Sequence, residues 1–143
     1  MYDWTKQANN EVLAFSAAYM NFDWKSATFY GASTTQSSHI TSAGAYGYLS
    51  STSTTSGSVL VGNFARKATT AAQYGDDYAY MVVNYGNPGA STAESSITLT
   101  FNGTPTRVLV YENGTPEIYT LTNNAVTLNL EVGEGAFVIP LSA

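Results

Sequence analysis

Near the end of the chain two glutamates, Glu131 and Glu134, stand three residues apart in the run NLEVGEGAFVIPLSA. Paired carboxyls are what glycoside hydrolysis requires, about 5–5.5 Å apart for retention of configuration and roughly 6.5–9.5 Å for inversion. A working acid also needs a pKa raised by burial or by a charged neighbour. Glu131 shares strand parity with Thr127 and Asn129, the outward positions, and Glu134 lies between Gly133 and Gly135. We read the pair as a tight, exposed turn that feeds a closing strand, and expect no catalytic residue in it.

The other reactive side chains give no stronger pattern. Glu112, Glu117 and Glu131 fall near strand ends, where a small β-sandwich glycosidase would need two glutamates facing each other across a cleft. Asp76 and Asp77 are adjacent, and two neighbouring aspartates supply few of the six to eight oxygens that calcium takes, so we expect a solvated loop and no metal. His39 is the single histidine and has no plausible nucleophile near it in sequence. No G-x-S-x-G elbow, phosphate loop or dinucleotide fingerprint occurs, so no cofactor is expected. Asn102-Gly103-Thr104 and Asn113-Gly114-Thr115 match the glycosylation acceptor pattern, but Asn-Gly is also a hairpin turn, which is the reading we prefer.

Aromatic residues offer a different chemistry. The apolar C–H face of a pyranose stacks on an exposed Trp or Tyr ring. Trp24, Tyr30, Tyr46 and Tyr48 lie in or beside an irregular first half where exposure is plausible, and they are the candidate carbohydrate contacts. Tyr78, Tyr80 and Tyr85 lie on an apolar strand and are expected to pack in the core. For any single ring, packing is the commoner role; a surface cluster of two or three would reverse that.

Composition narrows the classes. Charged residues are only 10% of the 143, apolar residues 44%, and tyrosine numbers eleven. Ser, Thr, Asn and Gly take the place of charge, a mix that suits exposed β-structure outside the cell, and we expect an extracellular or cell-surface location. The net charge is −5 and the five basic residues are scattered. No basic patch is there to neutralise phosphates, which speaks against nucleic acid and against an anionic membrane surface. The chain has no cysteine, hence no disulfide, thiolate nucleophile or Cys-based zinc site. No apolar run reaches the roughly 20 residues of a membrane helix. Met1 leads straight into helical sequence with no signal-peptide pattern, as expected of a piece of a longer protein.

These side chains must be positioned by mostly β elements. Trp4, Ala8, Val12, Phe15 and Tyr19 recur at spacings of three and four, one face of a helix, with Asp3 as its cap. Such a face lies on the β-domain that follows or on a neighbour. Residues 31–57 read as irregular, with a weak strand around Ala45–Leu49 and a flexible STSTTSG tip. From Ser58 short strands follow one another: SVLVGNFA, a polar connection over Ala71–Asp77, then YAYMVVNYG, apolar on both faces as a central strand is. SSITLTF alternates with Ile97, Leu99 and Phe101 inward, then come RVLVYE, PEIYTL and AVTLNLEV, with Val126, Leu128, Leu130 and Val132 on one face. GAFVIPL closes the series, and Pro140 fits a strand end or edge. Asn102-Gly103, Asn113-Gly114 and Asn123-Asn124 read as hairpin turns of a meander. The fold class is therefore mainly β, an antiparallel β-sandwich with one N-terminal α-helix.

Several of these segments carry a resemblance. VLVGNF (Val59–Phe64), DDYAYMVVNYGNP (Asp76–Pro88), RVLVYENG (Arg107–Gly114) and LNLEVGEGAFVIPL (Leu128–Leu141) resemble the C-terminal β-sandwich domain that follows the (β/α)-barrel in some bacterial glycoside hydrolases of the β-galactosidase-like kind. DWTKQANNEVLAF looks like the segment that links barrel to sandwich, and Phe22–Trp24 continues it. The likeness is strong at both ends and in the second half and poor over Gly31–Gly57. It implies residues 1–22 as a helical link and 23–143 as the sandwich domain. It also implies a non-catalytic accessory module whose partner is the catalytic barrel of the same polypeptide, since the catalytic carboxylates of such enzymes sit on the barrel. A carbohydrate-binding module, with an oligosaccharide as partner for the exposed Tyr and Trp, is the alternative.

Overall fold

The computed structural model describes residues 20–31, 46–55, 58–68, 75–84, 94–112, 115–131 and 133–142, without the side chains of residues 29, 30 and 58. Nine strands lie among them: β1 (Phe22–Gly31), β2 (Leu49–Thr54), β3 (Ser58–Arg66), β4 (Tyr78–Asn84), β5 (Ser95–Phe101), β6 (Arg107–Glu112), β7 (Thr115–Thr120), β8 (Ala125–Leu130) and β9 (Gly135–Leu141). The expected N-terminal helix falls on residues 1–19, outside the described residues, and no helix occurs among those described. Met20 and Asn21 form a turn and β1 begins at Phe22, one residue inside the segment read as a helical link.

The strands make two antiparallel sheets, a six-stranded one ordered β1-β3-β4-β9-β6-β7 and a three-stranded one ordered β2-β5-β8. One core joins them. Val59, Val61, Tyr80, Val82, Val108, Val110, Ala136 and Val138 of the larger sheet pack with Leu49, Ile97, Leu99, Phe101, Val126, Leu128 and Leu130 of the smaller. Alternation dictates this packing. Ile97, Leu99 and Phe101 follow one another at every second position of β5, with Ser95 buried at the start of the same face, so that face is mostly apolar and leaves water. β4 lies between β3 and β9 with buried residues on both faces, as its sequence indicates for a central strand.

Two expectations need correction. The run Ser51–Thr54, read as part of a flexible tip, is strand β2, paired with Thr100–Ile97 of β5. Its residues lack an apolar alternation, so the strand has no signature of its own; pairing along β5 makes it. The second half of the chain is also not a meander. β5 and β6 belong to different sheets, so Asn102-Gly103 turns the chain from one layer to the other and is no hairpin. β6 and β7 are paired antiparallel neighbours, and Asn113-Gly114 between them lies outside the described residues. Asn123 and Asn124 have φ of 52° and 62° and close a tight turn between Thr122 and Ala125, at the crossing to β8.

Pro140 is buried in β9 opposite Val108 of β6, beyond Val138, where the β4 ladder ends. A strand end is thus where the missing N–H is tolerated.

Candidate functional site

Three places hold the residues singled out by sequence: a knot of tyrosines, a corner of glutamates and a groove across the larger sheet.

The tyrosine knot lies where the chain enters β2. Tyr46 and Tyr48 flank Gly47, whose φ is +60°, and both rings are half-buried against the shared core. Each meets Tyr78 edge-on, with centroids 5.7 Å and 5.0 Å away. Tyr80 is fully buried beneath them. Its oxygen accepts the N–H groups of Tyr48 at 3.0 Å and Leu49 at 3.1 Å and donates to the carbonyl of Tyr46 at 2.5 Å. Burial raises the pKa of Tyr80 despite those two N–H donors, and burial followed by the neighbouring Tyr78 also raises that of Tyr46. Tyr48 donates to Asp77 Oδ2 at 2.9 Å, and burial, then this carboxylate, pushes its pKa up to about 12. Asp76 pairs with Arg66, so neither aspartate of the expected solvated loop is without a partner.

The four candidate carbohydrate contacts do not form one platform. Tyr46 and Tyr48 pack on the side of the larger sheet that faces the smaller one. Trp24 belongs to the opposite side, since its cross-strand partners Phe64 and Ala79 lie in the outer cluster. Trp24 is 56% exposed, beside a register shift between Trp24 and Ser26. Tyr30 lies in β1 opposite Val59, and its side chain is among those not described. His39 and Tyr85 also fall outside the described residues.

The glutamate corner gathers carboxyls that the sequence reading kept apart. Glu131 is exposed, and the chain turns between it and Glu134, whose N–H reaches the Glu131 carbonyl at 2.9 Å and is followed by Gly135 after Gly133 at φ +84°. The turn is as expected, but Glu134 is half-buried, not exposed, and its carboxyl hydrogen-bonds that of Glu112 at the end of β6. Burial, then Glu117 and Glu94, raises the pKa of Glu112; burial, then Glu112, Glu131 and Glu94, raises that of Glu134. Glu117 takes a hydrogen bond from the Tyr119 hydroxyl, which with burial pushes that phenol up to about 12. Val110, Glu112, Thr115, Glu117 and Tyr119 line a pocket of about 260 Å³ here. Among the described residues no group of three or more His, Cys, Asp or Glu is placed to hold a metal ion. Parity was the available signal: Glu112 continues the inward series of Val108 and Val110, which the strand-end reading passed over.

The groove lies on the outer face of the six-stranded sheet. Phe22, Phe64, Ala79, Phe137, Ile139 and Leu141 form a second apolar cluster there, with Met81, Leu109 and Tyr111 packed against it. Phe137 meets Phe22 and Phe64 edge-on, at 6.0 Å and 5.7 Å, and the Arg66 guanidinium sits 4.9 Å from the Phe22 ring. A cavity of about 470 Å³ runs over this floor from Asn21 and Phe22 to Ile118, flanked by Arg66, Asp76 and Arg107. The smaller sheet differs on its own outer face. There Ser96 reaches Asn129 at 2.8 Å and Thr98 reaches Thr127 at 3.0 Å, a ladder of hydroxyls and amides content in water.

No protein-family model, no curated protein and no solved structure matches this chain.

Proposed function

We propose that this chain is a non-catalytic accessory β-sandwich module of a secreted bacterial glycoside hydrolase, which braces the catalytic (β/α)-barrel of the same polypeptide. The observation that carries the reading is the contrast between the two outer faces. The polar ladder on the three-stranded sheet needs no partner, whereas the six-stranded sheet is apolar on both sides. A sheet face of that kind is normally covered, as in folds whose sheets lie between two layers. We assign the outer face of the larger sheet, where Trp24 and Ile118 stay more than half exposed, as the joining side of the module. The enzyme class comes from the resemblance of Val59–Phe64, Asp76–Pro88, Arg107–Gly114 and Leu128–Leu141.

The isolated chain is expected to give no turnover of aryl-glycosides or polysaccharides above a blank. Deleting it from the full-length enzyme should lower the thermal midpoint of the barrel. Turnover by the isolated chain that disappears in Glu112→Gln would replace this reading with a β-sandwich glycosidase.

A second reading, carbohydrate binding, is favoured by one observation, the exposed ring of Trp24. Titrating oligosaccharides against the 15N-labelled chain decides it. Localised shifts around Trp24 that vanish in Trp24→Ala would establish binding, and a flat response would remove it.

A further inference from the structure

We propose that the open edge of β7 takes up an extended basic peptide segment as a further antiparallel strand of the larger sheet, with the peptide's lysine or arginine side chains on the acidic side of that edge. The site is the edge of β7 and the side that faces the smaller sheet, not the outer face, so its failure would leave the accessory-module reading standing.

The backbone provides the edge. β7 ends the order β1-β3-β4-β9-β6-β7, and among the described residues β6 is its one neighbour. Every residue of Thr115–Thr120 is exposed, so the three-stranded sheet does not reach over this strand. The register pairs Arg107 with Thr120, and the Leu121 N–H donates to the Thr106 carbonyl at 3.0 Å. Residues 106 and 121 are therefore a hydrogen-bonded pair of the antiparallel ladder. Such pairs recur at every second residue, here Val108 with Tyr119 and Val110 with Glu117. Glu117 and Tyr119 thus turn their N–H and C=O groups toward β6, while Ile118 and Thr120 turn theirs to the open edge. Pro116 shares that edge and has no N–H, as suits a strand at the margin of a sheet. An edge of this kind is a template for an incoming strand.

The side chains select the partner. Glu117 lies opposite Val110 and Tyr119 opposite Val108, so both stand on the side of the shared core. With Glu112 and Thr115 they line the pocket of about 260 Å³, and among the described residues no Lys or Arg lines it. Glu94, Glu131 and Glu134 act on the same corner. Toward the open edge Glu117 and Tyr119 hold the non-hydrogen-bonded positions, where side chains of paired strands come closest, with Cα atoms about 4.5 Å apart. A basic residue opposite Glu117 meets its carboxylate and the pocket beyond. Arg107, opposite Thr120 on the other side of the sheet, repels a base placed there. A segment with its bases at alternate positions, all on one side, therefore fits. Charge also sets it apart from a second copy, which carries −5 and would bring its own glutamates to the same side.

The test titrates the 15N-labelled full chain with the capped peptide Thr-Val-Lys-Val-Lys-Val-Thr, up to millimolar concentration. Hydrogen exchange of the Ile118 and Thr120 amides should slow about tenfold or more, and that of Glu117 and Tyr119, already bonded to β6, should stay as it was. A peptide N-methylated at its central valine, or with glutamate in place of lysine, should not bind. Glu117→Gln should weaken binding roughly threefold, as loss of an opposite-charge cross-strand pair does. No binding at millimolar peptide overturns the proposal. So does binding that leaves the Ile118 and Thr120 amides unprotected, and so does equal binding of the glutamate peptide. Protection of those amides that grows with protein concentration, without peptide, also overturns it and makes a second copy the occupant.

Discussion

The phenolic oxygen of Tyr80, in the middle of the six-stranded sheet, accepts the backbone N–H of Leu49 at 3.1 Å, the residue that opens the three-stranded one. One buried hydroxyl thus crosses between the layers and fixes where β2 begins. It also takes the Tyr48 N–H and donates to the Tyr46 carbonyl, so one oxygen serves three backbone groups of the turn over residues 46–49. Tyr80→Phe keeps the ring and removes the acceptor, stranding the Tyr48 N–H, while the Leu49 N–H keeps the Tyr46 carbonyl at 3.1 Å. We expect a loss of about 2 kcal/mol, since an unsatisfied buried donor costs about 1–3 kcal/mol. Thermal unfolding should register a midpoint lower by roughly 6 °C.

Gly47 depends on the same knot. Its φ of +60° is disfavoured for a side chain, and an added Cβ would stand 2.6 Å from Tyr78 Cγ and 2.8 Å from the Tyr80 oxygen. Gly47→Ala should therefore destabilise by about 2 kcal/mol or more, from left-handed strain and from displacement of the Tyr80 hydroxyl. Urea titration measures it, and hydrogen exchange should show the Leu49 amide losing protection first.

The glutamate corner predicts a pH dependence. Glu112 and Glu134 have pKa values raised above their ordinary 4.5 in the folded chain. The folded state then holds protons that the unfolded state releases, so this contribution is full below about 4.5 and is lost as pH rises through the raised values. The facing groups, Glu94, Glu117 and Glu131, are all acidic and add repulsion once the pair ionises. Glu112→Gln should flatten the fall of thermal midpoint above pH 4.5 and raise it at pH 7, as differential scanning calorimetry across pH 4–8 would record.

Thr52 tests the reading of β2. It lies opposite Leu99, on the inward side, and its hydroxyl has no hydrogen-bond partner among the described residues. Replacement by valine keeps the shape and removes a polar group that burial penalises. Thr52→Val should stabilise by about 1 kcal/mol in denaturant unfolding, and a destabilisation of that size would show that the hydroxyl is satisfied.

What the sequence determined by itself is local. A period of two writes both the existence of a strand and the side it buries, which is why Ile97, Leu99 and Phe101, or Val126, Leu128 and Leu130, could be placed inward before any coordinates. The tight turn at Glu134 followed from its two glycines in the same way. What only the tertiary structure decided is partnership. Ser51–Thr54 became a strand because β5 offered an edge, not because its own residues asked for one. β5 and β6 parted into different sheets across a turn that in sequence reads as a hairpin. Glu134 met Glu112 instead of Glu131, and Trp24 was divided from Tyr46 and Tyr48 by the thickness of a sheet. Pairing, layer and corner depend on contacts between segments far apart in the chain, and those are settled by which faces can share a core, a property no short window of residues contains.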